Sequence, residues 1–492
     1  MDTRQVTDAD AGVLAAAAML RNRSLSAVEL LAARRRRIAE CNGGDPTFDG
    51  DPDAVNAFVR LYPELAERQA RAADERLARE GARAPLLCGI PLGLKDLFAV
   101  EGLPLTASSR VLANHIASRD AVAWVRLRDD GMVLMGHTHT HEFGAGGTTD
   151  QVGNPWDLGR SAGGSSGGSG AAVAARMVPA ALGTDTAGSL RIPASLCGIS
   201  SIKPTHGRVP LCGVVPLAPT LDHAGPLAGS LADCSALLTA LAAGGADTTP
   251  LMPPPTPLGD LPLSARKSAR PFEGVTVALT ERPAAAGLEP DVAEGLEHAR
   301  RACEELGASV VELAGPGDLS ADETSAVLFS EVAAYHARHA GAEDGYRTSI
   351  REFVELSRGY TAVDVYLHAQ RERSRVTGAW ESWFSEHRID VVLEPTTKCT
   401  APIRGVGYDS GRLGGAGDPL IELTATWDVT GFPVAALPAG IGDRSGMPVG
   451  ISLIAPRGAE ARVLQIGIDL QAHALHPLDR PPVPLSVSKE GP

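Results

Sequence analysis

The chain has 492 residues, of which 44% are hydrophobic and 21% are charged, a balance typical of a globular protein with an ample core. Asp and Glu outnumber Lys and Arg by 59 to 45, and the formal charge at pH 7 is −14. A net acidic surface repels phosphate groups, so we expect neither nucleic acid nor a membrane surface as a partner.

Cysteine usage and the N-terminal sequence indicate a reducing compartment. The seven cysteines are isolated, with no CxxC pair, so neither a disulfide framework nor a zinc site is predicted. The first residues carry Asp2, Asp8 and Asp10 in place of a basic leader, and no run approaches the ~18 apolar residues that span a bilayer. We expect a cytoplasmic, unprocessed protein.

The first part of the chain is predicted to be helical. Residues 10–42 and 62–80 carry helix-like patterns and form an N-terminal helical arm of about 80 residues. The basic run Arg34–Arg37 lies in this arm and is interpreted as a solvated helix face. From Leu86 onward, short apolar runs such as Met132–Met135 alternate with glycine and proline, which indicates strands between helices.

The second half continues this alternation after a Pro-rich connection at 248–263. The predicted strands are Val275–Leu279, Ser309–Leu313, Val391–Leu393, Val434–Leu437 and Val449–Leu453, and the predicted helical segments are 290–306 and 320–387. Gly414–Gly417 is predicted to be a mobile loop, and the tail from about 476 to 492 to be irregular. Without a repeat or a break in composition, we predict a single α/β domain over residues 1–492, with helices on both faces of the sheet.

The stretch from Arg160 to Arg208 is rich in glycine, serine and alanine. Glycine permits backbone conformations closed to other residues and lets main-chain N–H groups approach a ligand. A flexible linker is disfavoured because the helix-like run Ala171–Ala175 follows directly. A phosphate-binding P-loop is excluded because position 169 is Ser where that motif needs Lys.

A hydrolase elbow of the form GxSxG is also met, with Ser166 as its nucleophile. Any Gly/Ser-rich loop can match this pattern by chance. Its downstream partners would be Asp222, His223 and His206, whose placement in the sequence is not distinctive.

Taken together with GIPLGLKDLF at 89–98, this stretch resembles the amidase signature family. The matching pieces occur in the family's order, at Gly89–Phe98, Gly163–Gly168, Gly183–Ala194, Lys203–Arg208 and Leu221–Pro226. The resemblance implies one α/β domain with a large mixed sheet covered by helices on both faces. It implies no organic cofactor and no metal, and it leaves a homodimer open.

The resemblance also implies a Ser-Ser-Lys triad. Ser189 matches the nucleophile, Ser165 the bridging serine that the family holds at a cis peptide, and Lys95 the general base. The chemistry is coherent, because a serine hydroxyl needs an adjacent base near neutral pH and burial lowers the pKa of a lysine enough for that task.

The loop before the nucleophile is expected to direct main-chain N–H groups at the developing oxyanion, where each donor is worth roughly 3–4 kcal/mol. The expected donors are Thr186, Ala187, Gly188 and Ser189. The family commonly has Gly-Gly-Ser here, so this oxyanion hole requires that Ala187 keep a negative φ.

Other polar residues near these motifs are given supporting or structural roles. Asp185, Arg191 and Ser166 are expected to brace the catalytic loops, and Cys197 to pack in the core. The alternating His137, His139 and His141 would share one face of a strand, but no nearby set completes a metal shell.

We expect hydrolysis of a small-molecule carboxamide through an acyl-enzyme on Ser189. Pro395–Pro402 is expected to border the pocket, and Trp427 and Phe432 to favour a substrate with an apolar or aromatic part. Three alternatives remain open: the A subunit of a tRNA-dependent amidotransferase, acyl transfer to an amine in a biosynthetic pathway, and an inactive binding protein.

The amidotransferase subunit resembles this chain and frees ammonia from glutamine for a partner subunit. In it, an acidic residue about a dozen positions before the Pro of a Gly-x-Pro contacts the glutamine amino group. The corresponding position here is Ile421, with Glu422 adjacent. On this ground the stand-alone amidase is preferred.

Overall fold

The computed structural model describes residues 11–242, 257–405 and 418–478. The predicted mobile loop Gly414–Gly417 and most of the predicted irregular tail lie outside these ranges.

Helices and short strands alternate along the described chain. The helices are α1 (Val13–Asn22), α2 (Ala27–Cys41), α3 (Pro63–Glu80), α4 (Val122–Asp129), α5 (Gly167–Ala174), α6 (Arg191–Cys197), α7 (Leu231–Ala242), α8 (Arg282–Ala286), α9 (Pro290–Glu305), α10 (Ala321–His336), α11 (Thr348–Ser357), α12 (Val363–His387), α13 (Ala425–Val429) and α14 (Glu460–His473). The strands are β1 (Phe58–Leu61), β2 (Pro91–Lys95), β3 (Val133–Thr138), β4 (Gly153–Asn154), β5 (Asp157–Ser161), β6 (Ala180–Asp185), β7 (Ser200–Lys203), β8 (His223–Ala228), β9 (Thr276–Leu279), β10 (Ser309–Glu312), β11 (Val391–Pro395), β12 (Val434–Ile441) and β13 (Pro448–Ile454).

Eleven of the described strands form one mixed sheet in the order β1-β3-β2-β6-β8-β7-β12-β13-β11-β9-β10, and β4 and β5 form a separate pair. Strands β3, β2 and β6 are mutually parallel, as are β11, β9 and β10, whereas β8, β7, β12 and β13 pair antiparallel. The chain therefore has the predicted single-domain α/β fold with a large mixed sheet flanked by helices. None of the helices in these ranges combines the length and apolar character that a bilayer crossing needs.

Local sequence accounts for several helix boundaries. The hydroxyls of Ser26 and Ser320 each accept a hydrogen bond from the N–H of a glutamate three residues later, and the carboxylate of that glutamate accepts one from the serine N–H. These capping boxes start α2 and α10. The predicted helix over 10–42 is two helices, because Arg23 adopts a left-handed φ of 61° and ends α1.

The N-terminal region corrects two predictions. The expected helical arm contains β1, which lies at one edge of the sheet beside β3. The interpretation of Arg34–Arg37 as a solvated face is wrong for two of its arginines, since Arg34 is 1% and Arg37 is 7% exposed. Both donate hydrogen bonds to main-chain carbonyls after α5, Arg34 to Arg176 and Arg37 to Ala175.

The sheet topology brings distant residues together at one edge. β2 and β6 are parallel neighbours, and they end at Lys95 and Asp185. The carboxyl ends of neighbouring parallel strands meet at the same edge of a sheet, where ligand sites of α/β proteins usually lie. The loop before α5 and the turn before α6 lie at this edge.

Candidate active site

Lys95 is completely buried at the end of β2. Its Nζ donates hydrogen bonds to Ser165 Oγ and to Thr184 Oγ1, both at 2.7 Å. Thr184 lies in β6, so strand pairing brings this hydroxyl to the amine. The predicted neighbours Lys95 and Ser165 are in contact, and Thr184 is a partner of the lysine that sequence analysis did not assign.

Burial controls the protonation of Lys95. It lowers the pKa to about 7, because an ammonium loses its hydration there, while the negative charges of Asp185 and Asp222 act in the opposite direction. The neutral amine, which is the form that accepts a proton, is therefore accessible near neutral pH.

Ser165 lies in the loop between β5 and α5, and the peptide bond between Gly164 and Ser165 is cis. The Ser165 carbonyl accepts hydrogen bonds from the His141 N–H at 3.0 Å and from Thr149 Oγ1 at 3.2 Å. A Cβ at position 164 would overlap the Thr148 carbonyl, so this position needs glycine. These contacts hold the serine beside Lys95.

Ser189 lies in the turn between β6 and α6 and is 6% exposed. Its carbonyl accepts a hydrogen bond from the Ser166 N–H at 3.3 Å, so the loops of the two serines are joined at the main chain. Among the described residues, no hydrogen bond links the Ser189 and Ser165 hydroxyls directly. The structure thus brings the three predicted residues to adjoining segments at one edge of the sheet.

The Asp185 carboxylate holds the turn that carries Ser189. It accepts hydrogen bonds from the N–H groups of Gly188 and Leu190, at 2.5 and 3.1 Å, and from Arg191 Nε at 2.9 Å. Burial raises the pKa of Asp185, but the charge and hydrogen bonds of Arg191 outweigh burial and bring it to about 2. An ionised Asp185 is consistent with the supporting role predicted for it.

The predicted oxyanion hole loses one donor. The Gly188 N–H is bound by Asp185 and is not available to a substrate, so its assignment is wrong. In the described part of the chain, the N–H groups of Thr186, Ala187 and Ser189 donate no hydrogen bond, and their assignment stays a prediction. The positive φ of this turn, +131°, falls on Gly188 and not on Ala187, which satisfies the condition set for Ala187.

The turn between β6 and α6, which carries the predicted nucleophile Ser189, is the nucleophile turn. Arg191 joins it to the C-terminal part of the chain. This guanidinium is fully buried and also donates to the Thr424 carbonyl at 2.9 Å and to Asp428 Oδ2 at 2.5 Å. Thr424 Oγ1 in turn donates to the Ala187 carbonyl at 2.5 Å. The turn is therefore held at two points, the Asp185 carboxylate and the Ala187 carbonyl.

Asp222 holds the start of the same turn. Its carboxylate accepts hydrogen bonds from Thr186 Oγ1 at 2.6 Å and from the N–H groups of Leu217 and Ala218 at 3.0 and 3.2 Å. Burial raises the pKa of Asp222 to about 6. The GxSxG elbow, with Ser166 as nucleophile and Asp222 as a partner, is not formed, since Ser166 Oγ donates to the Thr184 carbonyl at 3.1 Å.

Comparison with known proteins decides the family. A sequence model of the Amidase family matches residues 52–464. The chain belongs to the amidase family. This amidase is 36% identical over 456 residues to the A subunit of glutamyl-tRNA(Gln) amidotransferase from Ralstonia nicotianae, an alignment that covers 84% of this chain and 89% of that protein.

Solved structures share the fold over nearly the whole amidase. A 6-aminohexanoate cyclic dimer hydrolase in complex with substrate superposes with a TM-score of 0.80 at 29% identity, covering 97% of this chain and 99% of that one. A chain from an unexpected vestigial protein complex, which reveals the evolutionary origins of an s-triazine catabolic enzyme, gives a TM-score of 0.81 at 29% identity, with 95% and 100% coverage.

Sequence reasoning missed several residues that support the site of the amidase. Thr424 lies just before α13 and Asp428 lies in it. Both are more than 200 positions after the turn that they hold, and no motif indicated them. Lys203 lay within a matched motif, and its Nζ donates to the Phe432 carbonyl at 2.6 Å and lies 3.1 Å from His223 Nε2. Burial lowers the pKa of Lys203 to about 7.

The prediction that Trp427 and Phe432 line the pocket is wrong. Trp427 is 1% exposed, Phe432 is 0% exposed, and both belong to the main hydrophobic core. Trp427 donates from its Nε1 to Glu394 and packs edge-on against Trp380. Cys197 is likewise buried, as predicted for a core residue.

The three alternating histidines do not share one strand face, because β3 ends at Thr138. All three are completely buried, and burial lowers the pKa of each. His137 bonds Tyr62 and the Phe98 carbonyl, and His139 bonds the Thr47 carbonyl. Within residues 11–242, 257–405 and 418–478, no group of three or more His, Cys, Asp and Glu side chains could hold a metal ion.

The position compared with the acidic residue of the amidotransferase subunit has apolar surroundings. Ile421 packs against a small cluster of buried hydrophobic residues that includes Ile192 of α6 and Leu420. The adjacent Glu422 is already paired with Lys398, at 2.5 Å between Oε2 and Nζ. Neither side chain therefore presents a free carboxylate beside the nucleophile turn.

Proposed function

We propose that this amidase cleaves the C–N bond of a carboxamide through an acyl-enzyme on Ser189. The observation that carries the proposal is the buried Lys95 amine, which donates to Ser165 Oγ at 2.7 Å and whose pKa burial lowers to about 7. A neutral lysine next to a serine relay is a recognised substitute for the histidine of other serine hydrolases.

In the proposed reaction, a rotation of the serine side chains brings Ser189 Oγ to Ser165 Oγ. Lys95 takes the Ser165 proton as Ser165 takes the Ser189 proton, and Ser189 Oγ forms a bond to the carbonyl carbon. The oxyanion is stabilised by the N–H groups of Thr186, Ala187 and Ser189. The C–N bond breaks as Ser165 protonates the nitrogen and takes a proton back from Lys95. Water, deprotonated by the same relay, then attacks the ester, and the carboxylic acid leaves as Ser189 regains its proton.

The second candidate is the glutamine-hydrolysing A subunit of an amidotransferase, to which the curated relatives give more support than to a stand-alone amidase. Its specific support is the 36% identity to the Ralstonia nicotianae protein. The apolar packing of Ile421 and the pairing of Glu422 with Lys398 count against a glutamine amino group at that position. Both candidates use the same acyl-enzyme.

The test is release of ammonia from a panel of primary amides that includes glutamine, with wild type and Ser189→Ala in parallel. We expect turnover by wild type and none by the variant. Exposed Ser374→Ala is the control and should retain full activity. If Ser189→Ala releases ammonia as fast as wild type, the proposed nucleophile is wrong.

The same assay separates the two candidates. The amidotransferase function would be supported if glutamine is the best substrate and if partner subunits co-purify from the native host. Turnover of amides other than glutamine by the isolated chain would support the stand-alone amidase. Added hydroxylamine should yield a hydroxamate in either case, because it captures the acyl-enzyme.

A further inference from the structure

Two helices outside the sheet hold Thr220 through partly buried polar contacts. Glu331 of α10 accepts hydrogen bonds from the Thr220 N–H at 2.9 Å and from Thr220 Oγ1 at 2.6 Å. On α12, Tyr366 donates to the same carboxylate at 2.8 Å, and Gln370 donates to Thr220 Oγ1 at 3.3 Å. Thr220 is thus held by residues from both helices.

Arg373 of α12 makes the most extensive of these contacts. Its Nη2 donates to the Thr220 carbonyl at 2.7 Å and its Nη1 to Thr220 Oγ1 at 3.0 Å. Its Nε donates to the Val429 carbonyl of α13 at 2.6 Å. The side chain is only 2% exposed, so one guanidinium joins two segments that are remote in sequence.

Each of these segments supports the turn that carries Ser189. Thr220 lies two residues before Asp222, which accepts the hydrogen bond of Thr186 Oγ1. Val429 follows Asp428, whose carboxylate accepts the hydrogen bond of Arg191. Arg373 contacts neither the triad nor the turn, but it bonds the two segments that carry Asp222 and Asp428.

We propose that Arg373 is a positioning residue, which keeps the Thr220–Asp222 segment and α13 at the separation that the nucleophile turn needs for turnover. The inference rests on the proposed function of Ser189. It gives helix α12 an indirect effect on the chemical step, exerted through Asp222 and Asp428 on the Thr186 and Arg191 ends of the turn together.

The proposal predicts a particular kinetic pattern. Removing the guanidinium lets the two supports of the turn move independently, and small displacements of reacting groups lower rates by up to about 100-fold. We expect Arg373→Met to lower kcat about 10- to 100-fold and to change KM less than threefold. Arg373→Lys should recover part of kcat, because one amine can bond one of the two carbonyls.

A matched control separates this effect from loss of stability. Arg34 is also buried, 1% exposed, and donates to the carbonyls of Arg176 and Ala11 at 2.8 and 2.6 Å, remote from the site. Arg34→Met should lower the melting temperature while kcat stays within twofold of wild type. If both variants lose kcat in proportion to their melting temperatures, Arg373 is only a stability residue and the proposal is overturned.

A second variant keeps the test decisive if Arg373→Met does not fold. Glu331→Gln preserves the shape of the side chain but replaces one acceptor oxygen with an amide NH2 group. One of the two hydrogen bonds from Thr220 is then lost, which costs about 1 kcal/mol. We expect kcat to fall about fivefold, the equivalent of that loss. A Glu331→Gln protein with wild-type kcat would also overturn the proposal.

Labelling by a fluorophosphonate distinguishes failure of this inference from failure of the proposed function. In the wild-type protein, Ser189 Oγ should displace fluoride and form a bond to phosphorus, which mass spectrometry of the modified peptide locates. If wild type is not labelled, Ser189 is not the nucleophile, and both the proposed function and this inference are overturned. Equal labelling rates for wild type and Arg373→Met would overturn the inference alone, and a 10-fold slower variant supports it.

Discussion

At the scale of single residues, the site depends on Lys95, a lysine whose positive charge is disfavoured by burial. Lys95 is completely enclosed, and its Nζ has Ser165 and Thr184 as hydrogen-bond acceptors. A neutral amine has two N–H donors and one lone pair. If Thr184 takes one N–H, the lone pair is free to face the Ser165 hydroxyl, which is the direction a general base requires.

The first prediction concerns pH. Because burial lowers the pKa of Lys95 to about 7, the neutral base increases as the pH rises through 7. We expect kcat/KM to rise about tenfold per pH unit below this value and to level off above it. The check is a pH–rate profile with a neutral amide substrate. A profile that is flat from pH 5 to 8 would contradict Lys95 as the base.

A second prediction concerns Gly188. This residue has a φ of +131°, and a Cβ added to it would overlap Thr424 Oγ1 and approach Ile192 Cδ1 at 2.7 Å. We expect Gly188→Ala to displace the turn and to lower kcat at least tenfold. The control is Gly274→Ala, where φ is +78° but nothing lies within 4 Å of an added Cβ.

The two glycine variants separate local backbone strain from displacement of the turn. Gly274→Ala should cost about 1–2 kcal/mol of unfolding free energy and leave kcat unchanged. The measurements are melting temperature and steady-state kinetics for both. Equal kinetics for the two variants would mean that the Gly188 turn does not position the nucleophile.

At the scale of elements, the nucleophile turn is held by a segment far away in the sequence. Thr424 lies just before α13 and donates from its hydroxyl to the Ala187 carbonyl, while its own carbonyl accepts from Arg191. The turn between β6 and α6 is therefore held by the docking of α13 as well as by Asp185 within the same segment.

A third prediction follows from that contact. Thr424→Val keeps the shape of the side chain and removes the hydrogen bond to Ala187, which is worth about 1 kcal/mol. We expect kcat to fall about fivefold with little change in KM. The control is Thr239→Val in α7, which also loses one bond from a hydroxyl to a carbonyl, at 2.9 Å, but lies outside the site. Equal kcat losses in both variants would contradict the prediction.

At the scale of the whole molecule, the proposed triad residues and several of the groups that hold the nucleophile turn come from different halves of the chain. Lys95, Ser165 and Ser189 all precede residue 242, whereas β12 and β13 pair beyond β7 in the same sheet. Helix α6, which starts two residues after the nucleophile, packs against β13, where Ser195 leaves no room for a Cβ at Gly450.

A fourth prediction concerns a fragment of residues 1–242, which contains the complete triad. Without β12, Thr424, Asp428 and Arg373, the edge of β7 is exposed and the nucleophile turn loses its supports. We expect the fragment to aggregate and to release no ammonia, as judged by size-exclusion chromatography and the amide assay. A soluble and active fragment would contradict the dependence of the site on the second half.

The amino-acid sequence by itself determined the fold class and several of the strands and helices, and its motifs indicated the three proposed triad positions. Apolar periodicity and the order of the Gly/Ser-rich motifs carry that information, because they record local backbone geometry that only particular residues allow. Lys95, Ser165 and Ser189 were predicted from their match to the motifs of the amidase signature family, and their triad roles are part of the proposed function. Asp185 and Arg191 could be assigned as supports because they lie within the same motif.

Only the tertiary structure decided which groups are available for chemistry. The Gly188 N–H is bound to Asp185, Trp427 and Phe432 lie in the core, and Arg34 is buried. Such outcomes depend on contacts such as that between Arg191 and Asp428, 237 positions apart. A hydrogen bond of this kind forms because packing brings its partners together, and the spacing of residues along the chain carries no record of it.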